Sequence, residues 1–157
     1  MSTSLPDPAK FCARIAQLHR ESVSPTGKFG FHIKNCKGKT PQPIEWEENW
    51  TQYFTRLISY TGEPMVFDAA AFYAHNEYEL GIWRREMVRF GRPYFEQYLR
   101  DFPPSEPVEQ FDDRNALYVL KFDLDYSLHR PGLPLVREQI LADMLRLVKK
   151  YSPKRND

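Results

Sequence analysis

The sequence is poor in glycine, with seven residues in 157. A dinucleotide-binding or Walker-type phosphate loop needs several glycines at fixed spacing ahead of a helix. Gly27-x-x-Gly30 is a poor match for one, and its surroundings alternate Phe29, Phe31 and Ile33 as a hairpin or extended flap would. Cysteine is scarcer still. Cys12 and Cys36 are too few for a disulfide scaffold and form no zinc pattern, so both read as reduced thiols. Charge of neither sign dominates, since 22 Lys and Arg against 21 Asp and Glu leave a net charge of +1. Nothing global therefore draws the chain to nucleic acid or to an anionic membrane. No apolar run approaches the length of a membrane span, and Met1-Ser-Thr-Ser-Leu-Pro6 has neither a basic region nor an apolar core. The expectation is a cytoplasmic protein with no nucleic-acid and no membrane partner.

What the chain does have is aromatic residues, 15% of the total, and 13 prolines, which suit a helical domain with rigid connectors. Its length corresponds to a single domain, able to bury roughly 70% of its unfolded surface. Asp7-Pro8 reads as an N-cap and first helical residue, and Phe11, Ile15 and Leu18 then hold one face of a helix to about Glu21. Trp46, Trp50, Tyr53, Phe54, Leu57 and Ile58 predict one apolar helical face across residues 45–60. Further on, residues 94–102 predict a short helix, and a long helix to about Leu128 is expected to line a face with Leu117, Leu120 and Leu124. Val136, Ile140, Met144, Leu147 and Tyr151 mark a last amphipathic helix that stops before Pro153. Asp123 and Asp125, two apart on a helix, diverge and make no metal dyad.

One stretch combines a turn, a short strand, a carboxylate and a helix. Thr61-Gly-Glu-Pro64 is turn chemistry, Met65-Val-Phe67 predicts a buried strand, and Asp68 follows, where a strand end can aim a carboxylate into a cleft. From Asn76 onward, Leu80, Trp83, Met87 and Phe90 recur at helical spacing. His75-x-Glu77-x-Glu79 can be read as a small metal site on one helix face, because side chains at i and i+4 are neighbours there.

The segment Phe67-Asp68-Ala-Ala-Ala-Phe-Tyr73-Ala-His75-Asn-Glu77-Tyr-Glu79-Leu80 resembles a pattern in the fructosamine kinases, or ketosamine 3-kinases, nearest to the fungal protein-ribulosamine 3-kinases. Ile15-Ala-Gln-Leu-His19, Phe29-Gly-Phe-His32, Gly38-Lys-Thr-Pro-Gln42 and Phe102-Pro-Pro-Ser-Glu-Pro107 resemble further elements of that family. The resemblance implies kinase-like phosphotransferases that use Mg-ATP to phosphorylate the sugar of a glycated lysine, so that the adduct leaves and the protein is deglycated. It implies that Asp68 binds Mg²⁺, that Gln42 and Trp46 lie on the substrate side of the cleft, and that His75, Glu77 and Glu79 form a structural brace.

The same resemblance exposes an absence. The family's His-Gly-Asp-Leu-Trp-x-Gly-Asn catalytic loop precedes its Thr-Gly-Glu-Pro turn, whereas here Ser59-Tyr60 runs straight into Thr61. None of His19, His32, His75 or His129 is followed by Gly-Asp, so no catalytic residue is assigned. Fewer than ten residues precede the first helix, so the expectation is that the nucleotide-binding lobe is missing. Phosphoryl transfer depends on positioning and charge neutralisation by a phosphate clamp, a base loop and a metal ligand together. Of these the sequence offers the last.

The expected fold is a single domain, mainly α with a small β hairpin, similar to a truncated C-terminal lobe of the protein-kinase-like, aminoglycoside phosphotransferase-like fold. Residues 8–60 would supply a helix, the flap and the aromatic helix, and residues 61–151 the Asp68 strand and the C-terminal helices. Three functions follow: an ATP-dependent protein-ribulosamine or fructosamine 3-kinase, an inactive remnant that binds glycated protein or a paralogue, and an incomplete gene product. Loss of the loop is expected to uncover an apolar face of Trp46, Trp50 and Trp83 and so to favour self-association.

Overall fold

The computed structural model describes residues 4–37, 40–59, 71–130, 132 and 134–152. The Thr61–Pro64 turn, the Met65–Phe67 strand, Asp68, and Gly38 with Lys39 lie outside the described residues, as does the tail from Pro153. The described architecture is mostly helical with one two-stranded antiparallel hairpin.

Helix α1 spans Pro8–Glu21 and starts as its sequence dictates. The Asp7 carboxylate accepts from the Lys10 N–H at 2.9 Å, a cap that stabilises a helix by about 1 kcal/mol. Its Cys12 and Ala16 are fully buried against α4, Arg92–Asp101, which contributes Tyr94 and Tyr98. Leu80 and Trp83 complete this first core.

The flap after α1 folds back on the segment that follows it. Phe29 pairs with Glu47 and Gly30 with Tyr73, while the Phe31 N–H donates to Ile44 O at 3.2 Å. Strands β1, Cys36–Lys37, and β2, Thr40–Pro41, close the hairpin. Gly30 makes the pairing possible. Its φ is 138°, and a Cβ there would stand 3.0 Å from the carbonyl oxygens of both Ile44 and Glu45.

Helix α2 spans Trp50–Ser59 and buries Tyr53, Phe54 and Leu57. It is shorter than the periodicity of residues 45–60 predicts. Trp46 lies before it, in the segment paired with the flap, because the backbone around Glu47 is committed to Phe29 rather than to a helical turn. The helix expected from Asn76 is also broken. Helix α3 covers only Glu77–Leu80 and passes into 3₁₀ turns at Gly81–Arg84 and Glu86–Val88, leaving Met87 73% exposed. Gly81 lies against α5, Phe111–His129, where a Cβ would come within 2.9 Å of Tyr118 Cβ.

Helix α5, Phe111–His129, runs through the centre and packs on α3, on the Gly81–Arg84 turn and on α6, Pro134–Tyr151. Its buried face carries Ala116, Tyr118, Val119 and Leu120, whereas Leu117 is 37% exposed. The leucine triad expected on one face is therefore split. The same helix buries Asp113, Lys121, Asp123 and Asp125. Each has a countercharge: Lys121 Nζ reaches Asp125 Oδ1 at 2.8 Å, Arg85 pairs with Asp123, and Asp113 receives Lys150 and Tyr151 of α6. Ile140 and Leu147 of α6 meet Leu120, with Val136 and Met144 at the margin.

The three tryptophans do not form an exposed face. Trp83 is 4% accessible in the first core, and Trp46 and Trp50 are half-buried among aromatic rings. Large exposed apolar side chains lie elsewhere, several of them on α6.

Candidate functional site

A cavity of about 580 Å³ opens where the end of α1, the flap, residues 71–79 and α5 converge. Its apolar walls are Phe31, Phe72, Tyr73, Tyr78 and Phe122, and its polar groups include His19, Ser22, Lys37, Gln42, Asn76 and Glu79. Aromatic walls with a few convergent polar groups are the usual make-up of a small-molecule site.

The charged groups face one another across chemistry that only partly closes. Lys37, at the end of β1, lies over the Phe122 ring at 3.8 Å and 3.3 Å from Asp125 Oδ2. Asp125 is already held by Lys121, so one buried carboxylate serves two ammonium groups. Neither Lys37 Nζ nor Asp125 Oδ2 makes a hydrogen bond. Burial pushes the Lys37 pKa down, opposed by the Asp125 charge. Glu79 opens onto the cavity, and the loss of surrounding water raises its pKa while Lys37 pulls it back. Glu79 and Lys37 thus form an acidic and a basic edge of one wall.

His19 and His75 line the same cavity. His19 Nδ1 is 2.7 Å from the Tyr98 hydroxyl, which also accepts from Asn76 Nδ2 at 3.3 Å. Burial lowers the pKa of both histidines, with the Glu77 charge working against this at His75. His75 Nε2 meets Ser105 Oγ at 2.9 Å and its Nδ1 meets the Tyr118 hydroxyl at 3.3 Å. Burial raises the pKa of Tyr98 and Tyr118 to about 12, so both hydroxyls stay protonated.

Glu77 faces away from the cavity. It is fully buried, with Oε1 accepting from the Ser105 N–H at 2.7 Å and both oxygens held by Arg114. Arg114 also donates to the carbonyls of Ser105 and Pro107, which ties the Ser105–Pro107 turn to α3. Glu77 is therefore turned away from the cavity that His75 and Glu79 line. Helix α3 begins at Glu77, so His75 and Glu79 do not share a helical face. Among the described residues no group of three His, Cys, Asp or Glu side chains could hold a metal ion. The described donor set does not fit Mg²⁺, and Asp68 lies outside it.

Gln42 lies in the cavity wall, 4% exposed, with its amide nitrogen donating to the carbonyls of Thr40 and Pro41 at 2.9 and 3.0 Å. Trp46 does not line the cavity but stacks on Tyr73, which does, with ring centroids 6.1 Å apart. Sequence reasoning missed Lys37 and Asp125 as a pair. The lysine falls within a solvated-looking basic flap, and nothing in the local pattern signals a partner 88 residues away.

The sequence model of the family described as fructosamine kinase matches residues 3–59 and 55–132. The chain belongs to the fructosamine kinase family. Among curated relatives, a rice protein named protein-ribulosamine 3-kinase, chloroplastic, is 25% identical over 191 positions, covering 87% of this chain and 54% of the relative. The Arabidopsis thaliana protein of the same name is 24% identical, covering 90% of this chain and 58% of its own length. Mouse ketosamine-3-kinase is 22% identical, with 72% and 51% covered. The chain spans about half the length of the curated relatives it matches. The aligned span with the rice protein exceeds the 157 residues of this chain, so that fructosamine kinase relative carries internal residues with no counterpart here. The family match itself comes in two pieces that overlap at residues 55–59, next to the Tyr60–Thr61 junction. No described helix is long and apolar enough to cross a membrane.

Proposed function

We propose that this chain serves the reaction of its family, ATP-dependent phosphorylation of the sugar of a ketosamine on a glycated protein. In this reading it supplies the acceptor-binding side, a single domain over residues 1–157 related to the C-terminal lobe of a kinase-like fold. Residues 8–60 carry the flap and its flanking helices, and residues 61–151 carry the Asp68 segment and the C-terminal helices. The observation that carries the proposal is the cavity with Glu79 and Lys37 on one wall and aromatic rings around them.

A ketosamine presents a secondary ammonium beside a polyol. Glu79 is placed to pair with the ammonium, and Lys37, His19, Ser22 and Asn76 offer hydrogen-bonding groups to hydroxyls. The faces of Phe31, Tyr73 and Phe122 suit the C–H faces of the sugar. Gln42 keeps the flap's end in place through Thr40 and Pro41, and Trp46 backs Tyr73. His75, Glu77 and Arg114 act as the brace that fixes the cavity's far wall. ATP with Mg²⁺ would supply the phosphoryl group, and Asp68 is the residue we assign to the metal. The described residues alone offer no group of three ligands for the metal.

A second reading has its own observation. None of the four histidines is followed by Gly-Asp, so the base loop of the family has no counterpart. In that reading the chain binds ketosamine without turning it over. Phosphate transfer from Mg-ATP to a ribulosylated lysine peptide, run beside Asp68→Asn, separates the two. Turnover abolished by the substitution supports the kinase reading. Binding of the peptide without turnover supports the second.

A further inference from the structure

Helix α6 is apolar on two sides. Its inner side, Ile140 and Leu147, is buried on α5. Its outer side carries Leu141, Leu145 and Val148, exposed at 57, 59 and 59%, at i, i+4 and i+7. A surface helix of a monomer usually carries polar residues there. The helix cannot roll to bury this stripe, because Asp113 on α5 holds Arg146, Lys150 and Tyr151 from the inner side.

The charges beside the stripe suit one occupant. At about 100° per residue, Glu138 and Lys149 lie about 20° and 40° around from Leu145, on the same flank. Neither has an opposite charge three or four residues away on the helix, and neither joins a salt bridge among the described residues. When two identical helices pair antiparallel about a two-fold axis, each flank meets the same flank of the other helix. With Leu141 of one copy level with Leu145 of the other, Glu138 and the second copy's Lys149 fall within about one residue's rise, 1.5 Å, of level. The two-fold makes this pairing twice. A net charge of +1 adds little repulsion between copies.

We propose that α6 is a self-association surface on which two copies of this chain pair antiparallel through Leu141, Leu145 and Val148, with Glu138 of each copy opposite Lys149 of the other. The test is sedimentation of the full chain over a concentration series. The wild type should approach twice the mass of a single chain, and Leu145→Glu should remain single at every concentration. Glu138→Lys should weaken the dimer about tenfold, because it makes both symmetry-related pairs repulsive. Glu138→Lys combined with Lys149→Glu should restore it, which a folding defect would not. A wild type that stays single throughout, a dimer indifferent to Leu145→Glu, or a double variant no better than Glu138→Lys alone would each overturn the proposal.

Discussion

Arg114 holds Glu77 with two nitrogens, Nε to Oε2 at 2.8 Å and Nη2 to Oε1 at 3.0 Å, and Glu77 has no solvent-exposed surface at all. Breaking such a buried pair from one side leaves an uncompensated charge. Glu77→Ala should therefore cost about 3–5 kcal/mol, read as a lowered urea midpoint. A loss under about 1 kcal/mol would mean that solvent reaches the pair as it does in surface pairs.

Asp125 is the shared countercharge of Lys37 and Lys121. Removing it strands two ammonium groups, whereas removing Lys37 leaves the 2.8 Å Lys121 pair intact. Asp125→Ala should lower the melting temperature well beyond Lys37→Met. Equal effects would show that Lys37 dominates the pair.

Gly81 sits where α3 passes α5, with Tyr118 and Val119 backbone atoms 3.0 Å from any added Cβ. Backbone cannot yield as a flexible side chain does, so Gly81→Ala should destabilise by about 1–3 kcal/mol through overpacking. Thermal unfolding checks this, and an unchanged midpoint would contradict it.

His19 and His75 have pKa values lowered by burial. The unfolded chain then binds more protons than the folded one between the lowered values and about 6.5. Their contribution to stability is complete above about pH 6.5 and falls away as pH drops below it. Glu79, with a raised pKa, acts in the opposite direction at lower pH. His19→Gln should flatten the stability profile between about pH 7 and 5, measured by denaturant titration at each pH. A profile parallel to the wild type would refute the assignment.

The sequence was informative where local chemistry decides structure. The Asp7-Pro8 signal places the start of α1, and the Val136 to Tyr151 periodicity gives α6. It failed where tertiary pairing overrides helical spacing. Trp46 has the period of α2 but lies beside Tyr73, because the flap takes the backbone at Glu47. The 76–90 spacing was not enough to sustain a helix, and α3 gives way to 3₁₀ turns where Gly81 is pressed against Tyr118. At the candidate site, Gln42 could be named from a motif and lines the cavity, while His75 and Glu79, expected as parts of a brace, line it as well. Lys37 and Asp125 could not, since their meeting depends on how the flap folds over α5.

The proposed function requires that the cavity receive a ketosamine through Glu79 and Lys37. Calorimetric titration of the full chain with a ribulosylated lysine peptide and with its unglycated twin tests this directly, beside Glu79→Gln. The glycated peptide alone should bind saturably, with affinity weakened about tenfold by Glu79→Gln, the loss expected for one charge-assisted hydrogen bond. Equal affinity for both peptides, or glycated-peptide binding indifferent to Glu79→Gln, would contradict it.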